Sequence, residues 1–504
     1  MRKIFSFPAF VGAMVSLAAV AATAVTDRGL VAGGKVLMES DTWQHLAIGL
    51  QILSSHTWPN ADSYSFTMHG APVIAFEWLG DVTMAIASNV SGLRGLTALF
   101  VFLAIGLALL ICYYAWLRSQ NVLAAGIATI LVLQVAEPIF GMRPQMLGYA
   151  FLIITLIFLE YFKQGRPRAL WPLPLIFLIW VNAHGSFILG FLVLGIYWAC
   201  GLVEFRSNFL EAKRWTPAQR LHLLWISLLC LVAALVTPYG ARMAVFPVDY
   251  FIGQRLVMGV TNEWQPLQFS TYYSHMFLAL VLAVLILQVA TPVAFRLETL
   301  VLLLFVIVES CLHIRFLVFF AVILAPVLAT FLSSWLPAYR PAEDHPVANA
   351  VLISTVALSI VAMFPSSARL NGMLASTYPV GAVRYLQEYP IHGNMFNTDS
   401  WGGYLIWAIP GRKVFIDGRL DIYEYGGVLQ DYYAFINLEG NPDRFLGKYD
   451  LNSALLKPGD PITHYFRSAL NWTIVFQDST SIIFARCNGA IPAKGVDTKA
   501  QESK

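Results

Sequence analysis

Long apolar runs separated by short polar segments dominate the chain. A helix needs about 20 consecutive apolar residues to cross a bilayer. Eleven such runs are predicted, near residues 7–26, 92–115, 121–138, 146–162, 171–187, 188–205, 222–239, 275–291, 297–313, 315–336 and 347–364. The apolar stretch from 297 to 336 is too long for a single span, so the polar cluster Glu309–Arg315 inside it is taken to divide it into two runs. The pattern therefore predicts an α-helical polytopic membrane protein.

Lysine and arginine in the short loops set the expected orientation, because cytoplasmic loops carry an excess of them. With eleven spans, all of the following basic positions fall on one side: Arg2, Lys3, Arg118, Lys163, Arg166, Arg168, Arg206, Lys213, Arg214, Arg220, Arg296 and Arg340. The N-terminus is therefore expected in the cytoplasm, and the segments 27–91, 240–274 and 365–504 outside. In a bacterium this means the cytoplasmic (inner) membrane, with the tail in the periplasm or cell exterior. In a eukaryote it would mean the ER lumen, but the sequence carries no ER signal.

The start of the chain allows two interpretations. A basic pair followed by an apolar run to Val25 fits a signal peptide cleaved near 21–24, or an uncleaved first helix. The many further spans favour the helix. The predicted organisation is a transmembrane domain over 1–364, with a long first outer loop near 27–91, and a small extracytoplasmic α/β domain over 365–504.

The prediction of an α/β tail rests on strands that alternate with helices. Predicted strands are 393–398, 413–417, 451–456, 472–477 and 481–486, and predicted helices are 380–389, 401–408 and 462–470. Three polar residues, Asp399, Asp417 and Arg419, lie at predicted strand ends, where sites often form. Asp417 and Arg419 equally fit a structural ion pair.

Composition agrees with a membrane protein. Hydrophobic residues make up 58% of the chain and charged residues 12%, against about 25% charged in soluble domains. The net charge of +3 is small and its basic residues are scattered, which excludes a nucleic-acid-binding surface. Five cysteines show neither metal-ligand spacing nor a disulfide framework. We expect no metal cofactor.

Ionisable residues in or beside the spans are costly and therefore mark functional candidates. With the predicted topology they fall in the outer half: Asp41, His45, Glu77, Asp81, Glu137, Arg143, His184, Glu309, His313 and Arg315. Their common side predicts one site at the outer membrane surface.

Asp41 and His45 are spaced one helical turn apart in the first outer loop. A carboxylate there can act as general base on an acceptor hydroxyl or amine. The alternative is a helix-capping or helix-dipole role for Asp41. Glu77, beside Trp78, is a second catalytic candidate or part of an interfacial aromatic anchor.

Each cationic or polar candidate likewise has a binding interpretation and a structural one. Arg143 offers bidentate contacts to a phosphate, or contacts ordinary lipid headgroups. Asn182 and His184 end the fifth run and can bind a phosphate or sugar, or join neighbouring helices. His313 and Arg315 mark an outer hairpin that adds a second cation, or only sets topology.

With these residues the chain resembles the GT-C superfamily of polytopic glycosyltransferases. This superfamily includes protein O-mannosyltransferases, aminoarabinose transferases and oligosaccharyltransferase catalytic subunits. The resemblance rests on an acid early in the first outer loop, eleven spans and an outer C-terminal domain. It extends to the segments 59–66, 77–79, 143–145, 182–185 and 415–419, as in poorly characterised bacterial members. Many GT-C members have Asp-Glu in the first outer loop, whereas Thr42 follows Asp41 here.

The resemblance implies a polyprenyl-phosphate-linked sugar donor, with Asp41 as the base and Arg143 and Arg315 at the donor phosphate. The predicted activity is inverting hexosyl or pentosyl transfer in the cell envelope, to a glycan, lipid or protein acceptor. Two alternatives stay open: a transporter or flippase of lipid-linked sugars, and a non-catalytic envelope assembly factor. A transporter would place its polar groups near the bilayer midplane with repeat symmetry.

Overall fold

Helices account for most of the computed structural model, which describes residues 5–25 and 31–487. The first fourteen α-helices run from the N-terminus to the end of the apolar region. They are α1 Phe7–Ala22, α2 Asp41–Ser55, α3 Trp78–Ser119, α4 Val122–Ala136, α5 Gln145–Lys163, α6 Leu173–Ala183, α7 Phe187–Cys200, α8 Pro217–Ala234, α9 Ala241–Gly253, α10 Arg255–Val260, α11 Tyr272–Ala290, α12 Leu297–Leu312, α13 Leu317–Leu332 and α14 Pro346–Met363. The basic residues Arg2 and Lys3, used for the predicted orientation, lie outside the described residues.

A helix lies at each of the eleven predicted span positions. Seven helices of the described part are long and apolar enough to cross a membrane: Trp78–Ser119, Val122–Ile139, Gln145–Lys163, Pro217–Ala234, Tyr272–Ala290, Ile314–Leu332 and Pro346–Met363. Two shorter apolar helices, Phe7–Ala22 and Phe187–Cys200, accompany them. The chain is therefore a multi-pass α-helical membrane protein, and the count of eleven spans stays a prediction.

The helix α3 has a break between its first part and the span predicted from residue 92. Ser91 and Gly92 depart from helical geometry, and Gly92 has φ +56° and ψ −136°. Glycine adopts this conformation without the steric cost that a side chain would add. The first part of α3 thus belongs to the first outer loop, and the second part is the span predicted from residue 92.

The centre of the bundle is α13, whose residues from Leu317 to Ala329 are all buried. A helix that is apolar all round is stable only inside other helices, and α13 packs against α3 and α4. At the end of the bundle that carries residues 31–91, α2 packs against both α3 and the helix Asp399–Ala408 of the C-terminal region.

Seven helices and one four-stranded sheet make up the C-terminal region. The helices are α15 Ser367–Thr377, α16 Val380–Glu388, α17 Asp399–Ala408, α18 Leu420–Tyr425, α19 Val428–Ile436, α20 Pro442–Lys448 and α21 Pro461–Ser468. A small separate sheet holds β1 Phe205–Arg206, β2 Leu210–Ala212 and β3 Phe295–Arg296. The C-terminal strands are β4 Asn394–Asn397, β5 Leu451–Leu456, β6 Trp472–Gln477 and β7 Ile482–Arg486.

The C-terminal sheet has the order β4-β5-β7-β6, with β4 parallel to β5 and the other pairs antiparallel. Its aromatic core includes Phe396, Phe415 and Phe435. The prediction of a strand at 413–417 is wrong, because this segment forms only an isolated bridge at Val414. The Asn397 side chain accepts from Phe415 N–H (2.8 Å) and donates to the Ile416 carbonyl (2.8 Å), which occupies the groups a ladder would need.

Candidate active site

The predicted base stands at the start of α2. Asp41 is the first residue of the helix, after Ser40, and His45 lies one turn later. The N-cap residue is Ser40, so Asp41 does not cap the helix. An acid in a first helical turn interacts favourably with the helix dipole, so the helix-dipole role considered for Asp41 is met. Its side chain nevertheless keeps 24% of its surface exposed, which leaves the carboxylate accessible to a second molecule.

Arg143 joins three carboxylates from distant parts of the chain. Its guanidinium lies 2.5 Å from Glu39 Oε1, 2.9 Å from Glu263 Oε1 and 3.4 Å from Asp41 Oδ2. Burial lowers the pKa of Arg143, but these three carboxylates outweigh it and raise the pKa well above its usual value. One donor is left over, because buried Arg143 Nε has no hydrogen-bond partner among the described residues.

Glu263 is a site residue that sequence reasoning missed. It precedes Trp264 in the outer segment between α8 and α11, and that acid beside an aromatic residue was the available signal. Burial raises the pKa of Glu263, but Arg143 and Arg315 outweigh it and lower the pKa to about 2. Glu263 is therefore a fixed negative charge between two arginines.

Glu77 stands between two histidines. Its Oε2 lies 3.4 Å from His45 Nε2, and its Oε1 lies 3.1 Å from His184 Nε2. His184 Nδ1 accepts from Ser186 N–H at 3.0 Å, which leaves the proton of a neutral ring on Nε2, facing Glu77. Burial raises the pKa of Glu77 to about 7, even with His45 opposing.

The pKa values of His45 and His184 are shifted in opposite directions. Burial and, to a smaller extent, the charge of Arg315 lower the pKa of His184 to about 3. For His45 burial also lowers the pKa, but Asp81, 2.7 Å from Nδ1, together with Glu77 raises it to about 9. At neutral pH His45 is therefore a cation and His184 a neutral donor.

The polar groups of Asn182 are engaged within the protein. Its Oδ1 accepts from Trp78 Nε1 (2.8 Å), and its Nδ2 donates to the carbonyls of Leu178 (2.8 Å) and Val236 (3.1 Å). Since Trp78 follows Glu77 directly, these contacts hold the start of α3 against α6. The structure thus gives Asn182 a supporting place beside the cluster.

His313 and Arg315 occupy the turn between α12 and α13, as the polar cluster in the long apolar stretch indicates. His313 Nδ1 donates to the Trp264 carbonyl at 2.8 Å, and the Arg315 guanidinium stacks 4.0 Å from the Trp264 ring centroid. Within residues 5–25 and 31–487, Arg315 has no carboxylate within ion-pair distance. It contributes to the pKa shifts of both Glu263 and His184, so it belongs to the same cluster.

The C-terminal candidates divide into two places. Arg419 Nη2 lies 2.6 Å from Asp417 Oδ2 and 2.7 Å from Asp62 Oδ1 of the first outer loop. Asp399 instead accepts from the hydroxyl of Tyr432 (3.1 Å) inside the C-terminal region. Asp417 and Arg419 therefore lie at the boundary with the loop that carries Asp41, whereas Asp399 does not.

The cluster can supply an accessible carboxylate, a stacked cation without a carboxylate partner and a neutral imidazole donor. Among the residues that the structure describes, no group of three or more His, Cys, Asp or Glu side chains is arranged to hold a metal ion. A metal-independent reaction stays a prediction.

Comparison with known proteins places the fold. No family model and no curated protein matches the chain. Among solved structures, the Archaeoglobus fulgidus oligosaccharyltransferase, tethered with an acceptor peptide, is similar over 97% of this chain and 75% of its own, with a TM-score of 0.52 and 13% identity. The same archaeal enzyme, AglB, in complex with an inhibitory peptide and a dolichol-phosphate, matches with a TM-score of 0.51 and 14% identity, over 97% and 75% of the two chains.

A third similar structure is ArnT from Cupriavidus metallidurans bound to undecaprenyl phosphate. It is matched over 96% of this chain and 98% of its own, with a TM-score of 0.51 and 14% identity. Both similar proteins are GT-C glycosyltransferases. The predicted GT-C-like fold, a helical membrane bundle with a small C-terminal sheet region, is thereby confirmed.

Proposed function

We propose that this chain is an integral membrane glycosyltransferase, which moves a sugar from a polyprenyl-phosphate donor to an acceptor at the outer membrane surface. The observation that carries the proposal is the partly exposed Asp41 carboxylate, which lies 3.4 Å from the Arg143 guanidinium. Arg143 also binds Glu263, whose charge interacts with Arg315 as well. The fold adds support, since two GT-C proteins of similar structure bind dolichol-phosphate and undecaprenyl phosphate.

Asp41 is the proposed general base. It is the more accessible acid, because its side chain is 24% exposed whereas that of Glu77 is 11% exposed. The carboxylate takes the proton of the acceptor O–H or N–H as the acceptor atom attacks the anomeric carbon. The bond between that carbon and the phosphate oxygen breaks, and the electron pair leaves with the polyprenyl phosphate. A single displacement of this kind inverts the anomeric centre.

Arg315 is the proposed principal contact of the donor phosphate, because none of the described residues places a carboxylate within ion-pair distance that the phosphate would have to displace. His184 and His313 are the proposed additional contacts of the phosphate, and His184 would redirect to a phosphate oxygen the Nε2–H that now faces Glu77. Arg143 contributes its unpartnered Nε, while its terminal nitrogens stay with Glu39, Glu263 and Asp41. Positive charge near the leaving oxygen stabilises the negative charge that develops as the bond breaks.

His45 and Glu77 adjust the charge of the cluster in this proposal. Glu39, Asp41, Glu77, Asp81 and Glu263 would together repel an anionic donor. His45, a cation at neutral pH, offsets part of that charge, and Glu77 loses its own charge as pH falls below about 7. Both residues therefore act on the reaction through the electrostatic field.

The proposed location is a bacterial cytoplasmic membrane, with the N-terminus in the cytoplasm and the C-terminal region in the periplasm or outside. A second charge network supports this polarity. Arg118, Lys163 and Arg296 pair with Glu160 and Glu298 at the opposite ends of α3 and α5 from the proposed site. Its excess of basic residues is typical of a cytoplasmic face.

The function is tested with purified protein in liposomes and a panel of polyprenyl-phosphate sugars, with released polyprenyl phosphate as the readout. Wild type is expected to turn over at least one donor, and Asp41→Asn to lose about 100-fold or more of that rate, as for a lost general base. Glu439→Gln, an exposed acid of the C-terminal region, is the matched control. No turnover of any donor, or full turnover by Asp41→Asn, would contradict the proposal.

A further inference from the structure

Two polar segments that are far apart in the sequence meet at the outer surface. Ser65 of the first outer loop and Val414 of the C-terminal region form a parallel bridge. Val414 N–H donates to the Tyr64 carbonyl (2.9 Å), and Phe66 N–H donates to the Val414 carbonyl (3.1 Å). Thr67 Oγ1 adds a hydrogen bond to the Phe415 carbonyl at 2.6 Å. The C-terminal region is thus joined to the first outer loop by backbone hydrogen bonds.

A buried ion cluster fastens the same junction. The Arg419 guanidinium holds Asp417 through Nε (2.8 Å) and Nη2 (2.6 Å), and reaches Asp62 at 2.7 Å. Both carboxylates have no exposed side-chain surface. Burial raises the pKa of Asp417, but Arg419 and the Tyr423 hydroxyl outweigh it and lower the pKa. Asp417 and Arg419 are therefore an ion pair, and Asp62 shares the same guanidinium.

Asp62 is fixed on its own side as well. Its Oδ2 accepts from Ser65 N–H (3.0 Å) and Ser65 Oγ (2.6 Å), which closes a tight turn in the loop. The Arg419 guanidinium carbon lies over the Tyr64 ring, 5.1 Å from the centroid of that ring. The loop and the C-terminal turn are consequently held in one relative position.

That position brings Gly418 against the proposed base. A Cβ added at Gly418 would lie 2.5 Å from Asp41 Oδ1 and 2.7 Å from Gln44 Oε1. On the neighbouring helix α17, a Cβ at Gly403 would lie 3.1 Å from both the Ser40 carbonyl and Gln44 N. No side chain other than hydrogen fits at Gly418 without displacing Asp41 or Gln44.

We propose that Asp62, Arg419 and Asp417 are positioning residues of the transferase, which clamp the C-terminal region so that Gly418 holds the Asp41 carboxylate in place. This inference rests on the proposed function. It extends that function, because it makes the C-terminal region part of the active site.

The first test needs no substrate. Amide hydrogen exchange is measured on the full-length protein in detergent, for wild type, Arg419→Gln and Asp62→Asn. Exchange in residues 39–46 and 62–68 is expected to rise about tenfold or more, because losing one partner leaves buried charges uncompensated, while exchange in α13 stays unchanged. Arg467→Gln, an exposed arginine of the same region, is the control. Unchanged exchange in residues 39–46 in both clamp variants would overturn the inference.

The second test isolates the contact at Asp41. Gly418 has no positive φ, so Gly418→Ala tests only the space beside Asp41. We expect kcat to fall about tenfold or more, as for small misplacements of catalytic groups, with an unchanged donor KM and melting temperature. Gly459→Ala, where nothing lies within 4 Å of the added carbon, is the control. Unchanged kcat in Gly418→Ala would overturn the positioning role.

The two tests also separate this inference from the proposed function. If wild type turns over no donor, the transferase proposal fails, and the exchange experiment still decides whether the clamp controls the order of residues 39–46. If wild type is active and Arg419→Gln loosens those residues without lowering kcat, the transferase stands and the positioning role fails. Arg419→Lys keeps the charge but not the bidentate contact, so intermediate exchange and kcat are expected from it.

Discussion

Glu77 Oε1 lies 3.1 Å from His184 Nε2, and this contact links the start of α3 to the hairpin between α6 and α7. The pair is buried. Near neutral pH His184 is uncharged, because its pKa is about 3, and Glu77 changes its charge, because its pKa is about 7. A proton on Glu77 removes one negative charge from the site while leaving the hydrogen bonds of His184 in place. The pair therefore makes the charge of the site sensitive to pH around neutrality.

The buried carboxyl of Glu77 makes protein stability fall as pH rises. Its pKa is about 7 in the folded state against an ordinary 4.5, so between these values the folded state keeps a proton that the unfolded state has lost. The destabilisation is absent below pH 4.5 and complete above about 7, on the order of 3 kcal/mol. Glu77→Gln is expected to raise the apparent melting temperature relative to wild type at pH 8 but not at pH 5. An equal difference at both pH values would contradict this.

His45 makes the opposite contribution. Its pKa is raised from 6.5 to about 9, so its interaction with Asp81 stabilises the fold fully below pH 6.5 and is lost as pH rises through 9. His45→Asn is expected to lower the melting temperature strongly at pH 6 and only slightly at pH 9.5, both measured in the same detergent. The exposed His392 provides the control substitution His392→Asn. A deficit that does not shrink with pH would contradict the assigned shift.

Hydropathy predicted the positions of the apolar helices, because a bilayer favours a strong and continuous pattern, whereas the number of helices that cross the membrane stays a prediction. The predicted boundary at residue 92 coincides with the break in α3 at Gly92. The predicted strand at 413–417 failed for a local reason, since a single side chain, Asn397, satisfies backbone groups that a strand would have paired. Long-range pairing of this kind leaves no periodic signal.

Only part of the candidate site could be predicted from the sequence. Asp41, Arg143 and Arg315 stood out because ionisable residues near spans are rare. Glu263 did not, because an acid in an outer loop is ordinary until the fold brings it to Arg143. The sequence also left open whether Asp417 and Arg419 form a site or an ion pair. Their contact with Asp62, more than 300 residues away in the sequence, depends on the whole fold.

Arg143 and Arg315 are expected to respond differently to the same substitution. Arg143→Gln leaves Glu39, Asp41 and Glu263 without their shared cation, which should destabilise the protein by roughly 3–5 kcal/mol. Arg315→Gln removes a cation that has no ion-pair partner in the described part of the chain, so the melting temperature should stay near that of wild type. The donor KM should instead rise about 10- to 100-fold, equivalent to the roughly 1.5–3 kcal/mol of a hydrogen bond to a charged group. Equal melting temperatures for the two variants, or an unchanged KM in Arg315→Gln, would contradict this division of roles.

The break in α3 gives a prediction about stability that does not depend on the reaction. Gly92 has φ +56° and ψ −136°, a conformation essentially restricted to glycine, and nothing lies within 4 Å of an added Cβ. Gly92→Ala should therefore cost about 1–3 kcal/mol through backbone strain alone. Gly106→Ala is the matched control on the same helix, also in open space but without a positive φ, and it should be neutral or slightly stabilising because alanine favours helices. Thermal unfolding of the two variants in one detergent measures the difference, and equal melting temperatures would show that the outer part of α3 continues straight into the span.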